Sequence, residues 1–91
     1  MALTPQARET FTRLFGAEPQ PHPTDPELFD ILQNEIFDEA FSTGVLTDVE
    51  RELLTITVLT AMQTLPQLKA HVEAALNIGA TPLQLRETIY Q

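Results

Sequence analysis

The stretch "TDVERELLTITVLTAM", residues 47–62, decides the fold because it can be read in two ways. Thr55, Ile56, Thr57 and Val58 are β-branched in succession, which suits a pleated strand. Against that, Thr47 is followed three positions later by Glu50, the pattern of a capping box. The hydroxyl accepts from the amide of the third helical residue while the carboxylate reaches back to the cap amide. The stretch is also longer than an ordinary strand. The reading is therefore a helix from Thr47 through about Met62. Within it "LLTITVLTAM", residues 53–62, has only threonine as a polar residue. A helix apolar on nearly every side is expected to be central, covered by neighbours all round.

Outward from this helix the punctuation stays helical. Leu65 and Pro66 restart the chain, with proline tolerated in a first turn, and the next helix runs to about Ile78 before Gly79. Thr81, Pro82 and Gln84 cap a last helix through Leu85, Ile89 and Tyr90. It meets Gln91 without a stop signal, so a longer natural chain or a second C-terminal module is expected. Upstream, Thr24 and Glu27 form another potential capping box. Leu28, Ile31, Leu32 and Ile36 follow at helical spacing to about Ser42, with Gly44 as a stop. "AEPQPHPTDP", residues 17–26, carries four prolines and reads as an extended connector. At the start, Thr4 and Pro5 open a helix with Phe11, Leu14 and Phe15 on one face, closed by Gly16. The expectation is one all-α domain over residues 1–91 with about five helices. Residues 1–43 supply leading helices and connector, and 44–91 the core.

The composition narrows the function. Ninety-one residues bury only about 60–65% of their unfolded surface, so a core completed by oligomerisation is expected. Thirteen acidic residues face five basic ones, for a net charge of -8. No lysine or arginine lies between Arg13 and Arg51. Such a surface repels phosphate backbones and argues against nucleic-acid binding. No apolar run approaches the roughly 18–20 residues that span a bilayer and no signal peptide is seen, so no membrane role and a cytoplasmic location are expected. Cysteine is absent, which removes disulfides, thiolate ligands and cysteine nucleophiles together. His22 and His71 are far apart in sequence, so no metal site is expected.

Few residues remain for chemistry. His71 borders the apolar stripe of Leu68, Val72, Ala75 and Leu76, with Gln67 one turn before it. It can be a hydrogen-bonded structural residue or a working one. Glu52 has Val49, Ile56 and Leu59 as helix neighbours. It can simply favour the helix N-terminus through the dipole, or be partly buried and poised for acid–base work. Arg51 can pair with Asp48 or Glu50, or hold an anionic substrate. Lys69 is expected to be solvated, and His22 to lie exposed among prolines. Thr55, Thr57 and Thr60 are expected to bond back to their own helix.

Residues 44–91, with "RELLTI" and above all "HVEAALNIGAT", resemble the carboxymuconolactone decarboxylase family in order and spacing. Residues 1–43 resemble its leading helices more loosely. The resemblance implies an all-helical, alkylhydroperoxidase D-like fold and an obligate homo-oligomer, a trimer or hexamer. The alkylhydroperoxidase D branch uses a glutamate, a Cys-x-x-Cys pair and a histidine. In that pattern Glu52 and His71 are kept, while Thr64 and Gln67 stand where the thiols would be. Thiol-dependent peroxide reduction is thereby excluded, and the decarboxylase branch, which needs no cofactor, is the nearer comparison. The resemblance implies a small lactone acid as substrate, bound near Arg51, Thr64 and Gln67, with Glu52 and His71 as the acid–base pair. The competing expectation is a non-catalytic helical module of the same family.

Overall fold

In the computed structural model, which describes residues 2–91, every helix start is set by a local side-chain or proline signal, and one cap falls elsewhere than expected. Helix α1, Pro5–Phe15, begins where the Thr4 hydroxyl accepts from the Ala7 amide at 3.1 Å. It ends at Gly16, whose φ of 73° few other residues adopt. Helix α2, Pro26–Asn34, is capped by Asp25, not Thr24: the Asp25 carboxylate accepts from Leu28 N at 3.2 Å. This start puts Pro26 at the first helical position, where its missing N–H leaves nothing unsatisfied. The expected Thr24–Glu27 box is accordingly not the cap.

The chain forms two compact units, one up to Val45 and the other Leu46–Gln91. In the first, the expected single helix to about Ser42 changes pitch twice. After Asn34 comes a π-helical turn, Glu35–Ala40, and then a 3-10 turn, Phe41–Thr43, before Gly44. The polar contacts account for the change. Thr4 N donates to Asn34 Oδ1 at 2.8 Å, and the Thr4 hydroxyl to Asp38 Oδ2 at 2.7 Å. Ser42 reaches the other oxygen of Asp38. The same wide turn brings Phe37 edge-on to Phe11 at 5.5 Å and to Phe15 at 6.0 Å, an arrangement that aromatic quadrupoles favour. Leu14 and Ala7 complete this small core. Helix α2 itself buries none of its residues.

The second unit holds α3, Asp48–Met62, α4, Leu65–Asn77, and α5, Pro82–Tyr90. The capping boxes at Thr47–Glu50 and Thr81–Gln84 are both formed. Helix α3 packs against α4 and α5 through Ile56, Ala75, Ala80 and Leu85, with Val49, Leu53, Leu68 and Val72 against them. Ala74 and Ala75 are fully buried, which lets the two helix backbones lie close. Gln63, with a φ of 57°, closes α3 and turns the chain into α4 within two residues.

Two expectations are corrected here. Helix α3 is not covered all round: Leu54 is 57% exposed and Val58 55%. Only two helices of its unit pack on it, and they reach one side. Leu76 also leaves the stripe of α4 and is exposed, because Ala74 and Ala75 occupy the face turned to α3. Among the described residues there is no strand, and no helix is long and apolar enough to cross a membrane.

Candidate functional site

Glu52 lies one turn before Ile56 on the buried stripe of α3, so the helix itself carries a carboxylate into the core. A carboxylate there is costly unless it is paired and hydrogen-bonded. The partner comes from α4. His71 Nδ1 stands 2.7 Å from Glu52 Oε2, across 19 positions of sequence. The distance is that of a charge-assisted hydrogen bond. A carboxylate can only accept, so an ionised Glu52 fixes a proton on Nδ1 of the ring. Nε2 is then the nitrogen whose protonation can change.

The two ends of the pair differ in access. The Glu52 side chain is 2% exposed and that of His71 16%. Of the two, the imidazole is therefore the group nearer to solvent, and the carboxylate orients its ring. Glu52 is thus buried and paired, and His71 is its hydrogen-bonded partner.

Arg51 is half-buried beside Glu52 in the chain. Thr64 is half-buried at the N-cap of α4, without a side-chain capping bond, and Gln67 is exposed in the first turn of that helix. Lys69 is exposed, as expected. Thr55, Thr57 and Thr60 donate to the carbonyls of Arg51, Leu53 and Ile56, each four residues back. They are spoken for locally, as their position in the helix implies. Glu50 is held by the Thr47 backbone amide and then by its hydroxyl, which keep its carboxyl below the ordinary value of 4.5.

His22 is not the exposed connector residue the prolines suggest. Its ring stacks on Phe29 at 3.9 Å, and its Nδ1 accepts from the amides of Thr24 and Asp25 at 3.2 Å each. It thus braces the turn into α2. Among the described residues no three His, Cys, Asp or Glu side chains are grouped as a metal would need. An open groove of about 500 Å³ runs beside α3, lined in part by Leu46, Leu53, Leu54, Thr57 and Thr88. Neither Glu52 nor His71 belongs to its lining.

An all-helical chain whose second unit holds a buried carboxylate–imidazole pair, with no cysteine in its 91 residues, defines a class without a thiol nucleophile of its own. Comparison with protein families matches the carboxymuconolactone decarboxylase family over residues 26–91, and the chain belongs to that family. The match takes in α2 through α5 and includes Glu52 and His71. Comparisons with curated proteins and with solved structures returned no match.

Proposed function

We propose that the protein is a cofactor-free carboxy-lyase acting on a small carboxylated lactone, with His71 and Glu52 as its acid–base pair. The observation that carries this reading is the 2.7 Å contact between the sealed Glu52 carboxylate and the part-exposed His71 ring. In the reaction the bond from the lactone to its carboxylate breaks and carbon dioxide leaves. The bonding electrons pass into the conjugated lactone carbonyl, and the resulting carbanion takes a proton from His71. Glu52 stabilises the imidazolium before that transfer, and solvent restores the proton afterwards. Arg51 would hold the substrate carboxylate, with Thr64 and Gln67 beside it at the start of α4. The protein would work in the cytoplasm as an assembly of identical chains, a trimer or hexamer, whose neighbouring subunit closes the site.

The test is carbon dioxide release from γ-carboxymuconolactone and related lactone acids. Wild type should turn one of them over, and His71→Ala should lose about 10²–10⁴-fold in rate, the usual worth of a positioned proton donor. Glu52→Gln, which still accepts from the ring but cannot balance its charge, should fall between the two. Folded variants with unchanged turnover would refute the assignment. The second reading, a non-catalytic module of the same family, draws on one observation: the groove beside α3 is not lined by the pair. Absence of turnover with every lactone acid would favour it.

A further inference from the structure

We infer that His22 is a proton-controlled latch on the start of α2, closed by the neutral ring and opened when Nδ1 takes up a proton. This reading is independent of the lactone assignment and lies wholly within the first unit. Three donors meet at His22 Nδ1. The amides of Thr24 and Asp25 stand 3.2 Å away and the Thr24 hydroxyl 3.1 Å. A backbone amide can only donate, so this nitrogen has to keep its lone pair. The geometry therefore fixes the tautomer, with the ring proton on Nε2. Imidazole is the side chain that ordinarily changes charge between about pH 5 and 8. A ring protonated on both nitrogens has only donors to offer, and the closing contact becomes three donors facing a fourth.

The opened ring has a ready alternative. Its face lies on Phe29 at 3.9 Å, a stack that a half-turn about the Cβ–Cγ bond leaves intact and that suits a cation as well. The half-turn puts Cδ2 where Nδ1 stood, and a carbon accepts nothing from the amides. Charge on the neighbouring segments favours the released cation. The turn contributes Asp25, and α2, which carries the stacking Phe29, contributes Glu27 and Asp30. Helix α1 brings Arg8 to the small cleft that Pro21, Pro26 and Asp30 also line, and Arg8 pairs with Glu18 of the connector at 3.3 Å. These segments hold four carboxylates and one guanidinium. The two protonation states therefore prefer different partners: amides for the neutral ring, carboxylates for the charged one.

Helix α2 is the element that depends on the latch. It has 9 residues and buries none of them. An isolated helix below roughly 12–15 residues is marginal in water, so α2 relies on its cap. Its first turn hangs on Asp25, whose carboxylate accepts from Leu28 N at 3.2 Å and whose carbonyl accepts from Phe29 N at 3.3 Å. His22 holds Asp25 in place through the Asp25 amide. Leu28, Ile31 and Leu32 are all exposed, so a loosened start leaves the cluster of Phe11 and Phe37 shut. Opening the latch frees the start of a helix without unfolding its unit.

The experiment is NMR of the isotopically labelled full chain from about pH 8 down to about 5.5, above the range in which most carboxylates titrate. At the alkaline end the His22 ring should be the Nε2–H tautomer, and an Nδ1–H ring would overturn the latch. On acidification the Thr24 and Asp25 amide signals should shift together with the ring. Protection of the Leu28 and Phe29 amides against hydrogen exchange should fall about five-fold, the worth of one ordinary hydrogen bond, while α1 keeps its own. His22→Asn places a carboxamide oxygen where Nδ1 stands, an acceptor that does not titrate. It should hold the turn throughout and abolish the response. His71 is still present in that variant, so a response that persists there belongs to His71 or to the carboxylates and overturns the latch. If His22→Asn does not close the turn, His22→Phe decides. It keeps the stack without an acceptor and should match acidified wild type already at the alkaline end. A firm first turn in His22→Phe, or Thr24 and Asp25 amides indifferent to the ring, would overturn the proposal. Turnover is not read in this experiment, so the lactone assignment stands or falls separately.

Discussion

Glu52 and His71 are most informative when considered as a pair removed in parts. Glu52→Leu alone strips the ring of its acceptor, and His71→Leu alone leaves a buried carboxylate without this partner. Each should destabilise the fold by about 3 kcal/mol. The double variant, Glu52→Leu with His71→Leu, should be near neutral, since two apolar groups can replace a buried pair without stranding a charge. Urea unfolding of the four proteins gives the coupling. If the costs of the two single variants simply add, the contact does not hold the pair together. At this scale the sequence was partly legible. Val49 and Ile56 around Glu52 are compatible with an inward-facing carboxylate as well as with one favoured only by the helix dipole, and His71 borders an apolar face of its own helix. That the two faces turn to each other depends on the α3–α4 packing, which no local pattern carries. The surroundings of His22 are hidden from the sequence for the same reason: its stacking on Phe29 and its bonds to the amides of Thr24 and Asp25 are contacts that four prolines say nothing of.

Among elements, caps were the most readable feature, because a cap is decided within four residues. The exception is instructive. Thr24 and Asp25 are both good caps, and the choice fell to the one that leaves Pro26 at the first helical position. Asp25→Ala should therefore cost about 1 kcal/mol of stability, while Thr24→Ala should cost only a few tenths. Thermal or urea unfolding distinguishes them, and equal losses would put the helix start elsewhere. The Glu50 cap has a signature in pH. Its carboxyl is depressed in the folded chain below its ordinary value of 4.5, so the charged form stabilises the fold at neutral pH. That contribution is full above the unfolded value and is lost as pH falls through the lower, folded one. The stability difference between wild type and Glu50→Gln should hold from pH 7 to about 5 and shrink steadily in acid. A difference independent of pH would mean the capping bond acts without the charge. The π turn at Glu35–Ala40 was not legible, since Leu28, Ile31, Leu32 and Ile36 keep helical spacing up to it. Its cause lies in Thr4 and Phe11, far away in sequence.

For the molecule as a whole, class and helix number could be read from periodicity and punctuation, and the family match agrees with the resemblance of "HVEAALNIGAT" and its surroundings. Exposure could not be read, because an apolar helix announces that it wants covering and not what covers it. Leu54 and Val58 are the clearest case. The division of the chain has a practical outcome. Each unit has its own buried cluster, one around Leu14 and Phe37 and the other around Ile56 and Ala75. Between them runs a short exposed passage with Gly44 left-handed and Val45 82% exposed. Brief digestion with a broad-specificity protease should cut first there, between Phe41 and Thr47, as mass spectrometry of the fragments would show. Early cleavage inside α3 or α4 would contradict it. The same passage is where a reporter peptide or an affinity handle can be spliced into the middle of the chain without opening either cluster.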